Sequence, residues 1–307
     1  MLALSEYLTF PLFAMLVGVG AQLGARAHGA RRHLVSTCVH AVALLGLGWL
    51  LDQAGAQVII VLAPLGVLTL LMWFIVRLPT WAVAAVGATA AALAPWVAES
   101  TEPVRTRLMM EQSPALWWFE LLASDSYPQI VLVLMACAGV LLTRLLLPAT
   151  GVRRVPAAVA AVVFLALAAA WRVADLVGVV DLIAYETVWP VLAFDLCLAA
   201  ALVAGCLVIG AMDQGGVRAL VRTVADAGSM TLTLYALHVV WLAWWVRVLR
   251  PALSDDAWLN VVGMTVGALV LAAVWTRLPW PARWRRGPVE GMLAQTVAAL
   301  EGRRASA

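Results

Sequence analysis

The chain has 307 residues, of which 64% are hydrophobic and only 12% charged, where a soluble domain carries about a quarter. A mean hydropathy of +0.96 and apolar runs recurring to the end exclude a soluble all-α core, and alternating strands of a membrane barrel are absent. The net charge of +3 says little; all 20 basic residues are Arg, and no basic run interleaved with aromatics points to nucleic acid.

In chain order, the first apolar run, 6–25, begins at Glu6 and passes through Phe10-Pro11-Leu12-Phe13 to Gly18, Gly20 and Gly24. Gly20 and Gly24 have the GxxxG spacing of a helix-packing face. Arg26, Arg31 and Arg32 follow, with His28 and His33 among them, read as solvated. The second run, 34–51, holds His40 near Ser36 and Thr37, read as packing. It ends at Asp52, whose short turn DQAGAQ leads into a third run, 58–76, with the pattern VLAPLGVL. A fourth run, mostly Ala and Val, covers 80–98.

The loop 99–128 carries Glu102, Glu111, Glu120 and Asp125, and its Trp117-Trp118-Phe119 reads as a loop helix dipping into the outer interface. Runs at 129–147, 156–173, 189–210, 229–249 and 258–278 bring the total to about nine spans. The four cysteines lie within apolar runs and lack CxxC spacing, so neither a disulfide nor a metal centre is expected. From 279 the basic, Trp-rich PWPARWRR suits an interfacial anchor. Gly287 as N-cap, Pro288 at N1 and Glu290 at N3 then open a short helix through about Glu301. The expected fold is all-α: a polytopic membrane bundle, one transmembrane domain over 1–278 with a cytoplasmic tail over 279–307.

Arginine placement sets orientation. Arg26, Arg31, Arg32, Arg77, Arg153, Arg154, Arg218, Arg222, Arg277, Arg283, Arg285 and Arg286 all follow odd-numbered runs, so that side is cytoplasmic and the amino terminus lies outside. Nothing before the first run resembles a signal peptide. An outside start of this kind reads as a second helix whose predecessor is missing.

The residues also resemble a family. LTFPLFAMLVGVGAQL is similar to the second helix of the transmembrane acyltransferases related to heparan-α-glucosaminide N-acetyltransferase. RRHLVSTCVHAVALLGLGWLLDQAGAQVIIVLAPLGVLTLLMW resembles the next helix pair. GSMTLTLYALHVVWLAWW and the closing RWRRGPVEGML resemble the bacterial YeiB-type branch. The resemblance touches both ends; the middle, about 99–210, is similar only in hydropathy. It implies an inner-membrane protein of ten or eleven helices that transfers an acyl group from cytoplasmic acyl-CoA (acetyl-CoA) to an envelope glycan or lipid-linked sugar. It also implies a reactive histidine between the first two helices, and no histidine stands before Phe10 in this chain.

Thr231, Tyr235 and His238 share one face of the eighth run. They read either as interhelical hydrogen bonding or as an acid–base pair in which Tyr235 orients His238. Asp195 is the plainest intramembrane acid, expected to pair with Arg172 or to line an outer acceptor cleft. Asp52 and Glu6 face the same side; either could stand in as base only if burial made it more basic. Arg31, Arg32, Arg153 and Arg154, with Arg218 and Arg222, read as topology determinants and as a surface for CoA phosphates. No Gly-rich phosphate loop is present. The rival readings are a non-catalytic member of the same fold that binds a lipid carrier, a partner membrane protein or a second copy of itself, and, with no internal repeat to support it, a transporter.

Overall fold

The structure, a computed structural model, describes residues 2–53, 60–124, 128–212, 215–249, 258–281 and 284–302, without the side chains of 2–6, 215–220, 249 and 258–259. Every regular element among them is helical. In order these are α1 (Leu2–Ala27), α2 (Ala30–Asp52), α3 (Leu62–Ile75), α4 (Thr80–Met110), α5 (Ala115–Ala123) and α6 (Gln129–Leu146). They continue with α7 (Arg154–Leu176), α8 (Trp189–Gly210), α9 (Gly215–Gly228), α10 (Thr231–Trp244, widening into a π-helical turn at Trp245–Leu249), α11 (Trp258–Arg277) and α12 (Pro288–Leu300). Eight of them are long and apolar enough to cross a membrane among the described residues. The protein is an all-α, multi-pass membrane protein.

Three elements depart from the sequence expectation. α3 has 14 residues, about 21 Å at 1.5 Å per residue, short of a hydrocarbon core of about 30 Å. α4 runs 31 residues, past the expected end at 98, so much of the anticipated loop is helix. Pro95 and Pro103 lie inside it, where each lacks a donor for the carbonyl four residues back. α9 was not anticipated, because its apolar residues recur among Arg218, Arg222 and Asp226 rather than in one continuous run. That is the pattern of a helix lying in the interface plane.

The chain forms two compact units, one of 1–33 with 64–211 and one of 34–63 with 212–307; the tail belongs to the second. In the first, α6 is the central helix, packed by α1, α4, α5 and α8, while α7 lies against α8. Met15, Leu142, Leu146, Ala157, Ala200 and Val203 form one buried cluster, and Ala168, Leu182, Val191 and Phe194 another. α7 leaves Val159, Val162, Val163 and Leu165 exposed, the face it turns to lipid.

Close approach, not apolar burial, sets the α1–α6 crossing, since lipid tails are as apolar as leucine. A methyl built on Gly18 would overlap the Ala136 carbonyl oxygen and sit 2.8 Å from the Ala136 carbonyl carbon. One built on Gly139 would overlap the Met15 carbonyl oxygen in the reciprocal contact. This corrects the expected Gly20–Gly24 pair: Gly20 has open space around it, and Gly24 faces the His33 imidazole at 3.2 Å. His33 is accordingly buried, not solvated.

The arginine-bearing helix ends of the first unit meet at one end. Arg144, near the close of α6, donates to the Val76 carbonyl (2.9 Å), the Leu78 carbonyl (3.0 Å), the Thr80 hydroxyl (3.2 Å) and Gln22 Oε1 (2.9 Å). Arg26 donates to the Leu147 carbonyl. One guanidinium fork thus satisfies carbonyls left over at the end of α3 and ties α1, α4 and α6 together.

In the second unit, α10 packs with α9, α11 and α12. Glu290 sits at N3 of α12 as expected, yet its carboxylate turns to the start of α10, where Met230 offers no side-chain cap. Oε1 accepts from the backbone N–H of Leu232 (2.8 Å) and Thr233 (3.1 Å), and Oε2 from the Thr233 hydroxyl (2.5 Å). The Thr233 hydroxyl in turn accepts from Val289 N–H (3.2 Å). Gly287, at φ 101°, makes the turn; a methyl there would be 2.8 Å from Thr233 Oγ1. Gly-Pro-x-Glu of the tail is therefore a cap supplied to one helix by another.

Candidate functional site

The end of the first unit opposite Arg144 carries a cleft of about 590 Å³ between α4, the residue after α5, and the loop 184–188 that leads into α8. Glu99, Glu102 and Glu186 give it three carboxylates, and Thr101, Ser124, Tyr185 and Thr187 four hydroxyl-bearing side chains. Its one arginine is held: Arg105 Nε donates to Glu120 at 2.9 Å, and its Nη1 lies 3.5 Å from Glu102. The pairing with Glu120 ties the last turns of α4 to α5.

Beneath the loop lies a small chamber of about 30 Å³, room for a water molecule. Tyr185, Glu186 and Thr187 line both spaces. Phe10 and Pro11 of α1, Leu132 and Met135 of α6, and Asp195 of α8 also line the chamber, with Pro128, Val131 and Leu192. The Phe-Pro pair has a specific effect here: proline has no N–H, so α1 presents no backbone donor at that position. Asp195 Oδ1 is buried and accepts no hydrogen bond from the described residues. The loop above is fixed from two sides. Tyr7 donates to the Leu182 carbonyl at 2.6 Å, and Asp175 Oδ1 accepts from Leu182 N–H at 2.9 Å. Tyr185 takes the left-handed backbone conformation, φ 71°, with its ring edge-on to Phe10.

The expected Arg172–Asp195 pair is overturned. Arg172 pairs with Asp175, one turn along the same helix, and Asp195 instead lines the chamber next to the cleft. The local partner was legible as an i, i+3 spacing in the sequence; burial of Asp195 under a loop 10 residues upstream was not.

His238 and Tyr235 meet edge to face, ring centroids 4.7 Å apart. The orienting contact is not the phenol. The Tyr235 backbone carbonyl is near the His238 imidazole, and the backbone of Val61 is near the Tyr235 hydroxyl. Thr231, on the same face, is exposed and donates to the Gly228 carbonyl at 2.5 Å. None of these three lines a described cleft. His40 bonds to the Ser36 carbonyl one turn back, at 2.7 Å, which fits packing.

Arg31, Arg32, Arg153 and Arg154 are all exposed and likewise line no described cleft. Asp52 is exposed at the end of α2. The side chains of Glu6 and Arg218 lie outside the described residues. No group of three or more His, Cys, Asp or Glu side chains able to hold a metal gathers among the described residues.

Fold and site together define a multi-pass, all-helical membrane protein with an acidic, hydroxyl-lined cleft at one end of its first unit. No family model matches the chain, and no curated protein or solved structure matches it.

Proposed function

We propose that the protein is a membrane-embedded acyltransferase-like protein that acts on an envelope glycan or lipid-linked sugar, with the cleft of the first unit as the acceptor site. The observation that carries this reading is Asp195, a half-buried membrane acid whose Oδ1 is buried and uncommitted, next to a cleft rich in hydrogen-bond acceptors. A charge in a membrane helix is costly and serves function when no arginine neutralises it. Carboxylates accept strongly from hydroxyl and ammonium donors, so this cleft suits a neutral or amine-bearing sugar and disfavours an anionic one.

In the reaction the acceptor oxygen or nitrogen forms the new bond to the acyl carbon as the thioester C–S bond breaks. The acceptor's proton passes to Asp195 acting as base, and the thiolate leaves to be protonated. The donor is acyl-CoA that enters from the cytoplasm, on the arginine-bearing side, with its extended thioester arm reaching in to Asp195, where the acceptor meets it, in a bacterial inner membrane with the amino terminus outside. Proteoliposomes given labelled acetyl-CoA and a neutral glycan acceptor test the reading. Asp195→Asn is expected to lower transfer at least a hundredfold with folded yield unchanged. Transfer at the native rate by Asp195→Asn, or no transfer by the native protein, refutes it.

A second reading, a non-catalytic lipid-carrier or partner binder of the same fold, is favoured by one observation: His238 meets the Tyr235 ring edge to face, a packing contact within one helix. It predicts retention of a lipid-linked sugar by the native protein without acetyl-CoA turnover.

A further inference from the structure

The second unit has a cleft of its own, about 600 Å³, where the end of α9, the end of α11 and the turn before α12 converge. Arg222, Arg277, Arg285 and Arg286 line it, with hydroxyls from Thr223, Ser229 and Thr276, and Asp226 is its single acid. None of the four arginines is paired with a carboxylate among the described residues. Among the described residues, Arg277 donates only to the Ala273 carbonyl of its own helix, at 3.1 Å.

Two of these arginines are presented by a turn anchored on both sides. Upstream, the Trp275 indole N–H donates to the Trp284 carbonyl at 2.7 Å, and Trp275 stacks on Trp280 with centroids 4.9 Å apart. Downstream, Gly287 turns the chain and Glu290 locks onto the first turn of α10. Arg285 and Arg286 sit between the two anchors, so the backbone that carries them is ordered before any ligand arrives. Preorganisation of this kind lowers the entropy lost on binding.

Gathering four cations around one acid is unfavourable unless an anion offsets the repulsion. Guanidinium forks match phosphate oxygens two at a time, so four of them can engage two phosphates. Tryptophans clustered beside the arginines are the marker of the membrane–water interface, and basic recesses at that depth hold anionic headgroups. We infer that this cleft is a binding site for a ligand carrying two neighbouring phosphate groups, met at the membrane surface. This chemistry has two sources, the headgroup of a diphosphate lipid and a soluble diphosphate, and it does not depend on the acceptor site of the first unit.

The full chain in phosphatidylcholine nanodiscs provides the test. One arm adds a few per cent cardiolipin, a lipid with two phosphates, and counts bound lipid by native mass spectrometry; the other titrates inorganic pyrophosphate and follows tryptophan fluorescence. Saturable binding in either arm, weakened at least tenfold by the double variant Arg285→Gln/Arg286→Gln, is the expected result. Cardiolipin binding alone identifies a lipid site, and pyrophosphate binding of equal strength identifies a soluble ligand. Arg222→Gln, on a separate helix, must weaken the same arm, which guards against a tail variant that merely loosens the turn. Absence of binding in both arms, or equal weakening by Arg31→Gln/Arg32→Gln, overturns the inference in favour of diffuse surface charge.

Discussion

Glu290→Ala isolates what the tail contributes to the second unit. The substitution removes the acceptor of two backbone N–H groups and one hydroxyl at the start of α10. Losing a helix cap costs about 1 kcal/mol. Stranding a buried donor costs about 1–3 kcal/mol. Thr233 is buried and Leu232 half-buried, so one stranded N–H carries the larger cost and the other a smaller one. The expected loss is about 3 kcal/mol. Glu290→Gln keeps an oxygen at the same reach and forfeits only the charge, for about 1 kcal/mol. The roughly 2 kcal/mol gap between the variants corresponds to about thirtyfold in the unfolding equilibrium. Reversible unfolding in mixed SDS micelles, followed by tryptophan fluorescence, reads it, because Trp275, Trp280 and Trp284 belong to the same unit. Equal stability of the two variants, or Glu290→Ala within about 0.5 kcal/mol of the native protein, refutes the capping argument.

The same assay separates the two glycine readings. Gly18→Ala and Gly139→Ala each drive a methyl into a backbone carbonyl that cannot rotate away and are expected to cost more than about 2 kcal/mol, whereas Gly20→Ala, with nothing near it, is neutral or stabilises by about 0.5–1 kcal/mol. Arg144→Ala is expected to destabilise the first unit by about 2–3 kcal/mol, and Arg144→Lys to recover less than half, since a single ammonium cannot reach partners on α1, α4 and the end of α3 at once. Recovery of full stability by lysine would reduce the arginine to a point charge.

Much of the architecture is written in composition and period. Runs of about 20 apolar residues mark spans because a helix must match the bilayer's thickness, and this needs no tertiary information. Pro288, Gly287 and Glu290 announce the start of α12 by local rules alone, and the structure agrees. The amphipathic pattern of α9 was also present, but a search for continuous apolar runs passes over a helix that alternates arginine with valine.

What tertiary structure decided was the partner of each polar or small residue. Local spacing names candidates three and four residues away, so it offered Asp175 to Arg172, which the sequence reading passed over for Asp195, and it cannot see that Asp195 lies under the 185–187 loop. Glu290 at N3 looks like a capping box for its own helix, yet its acceptor capacity goes to α10, 57 and 58 positions earlier in the chain. The GxxxG spacing in α1 singled out Gly20 and Gly24, and only the crossing with α6 selects Gly18. Hydrophobicity is a property each residue carries with it, so the sequence alone determined that this chain crosses a membrane. A hydrogen bond or a close contact belongs to two residues, and only the fold decides which two.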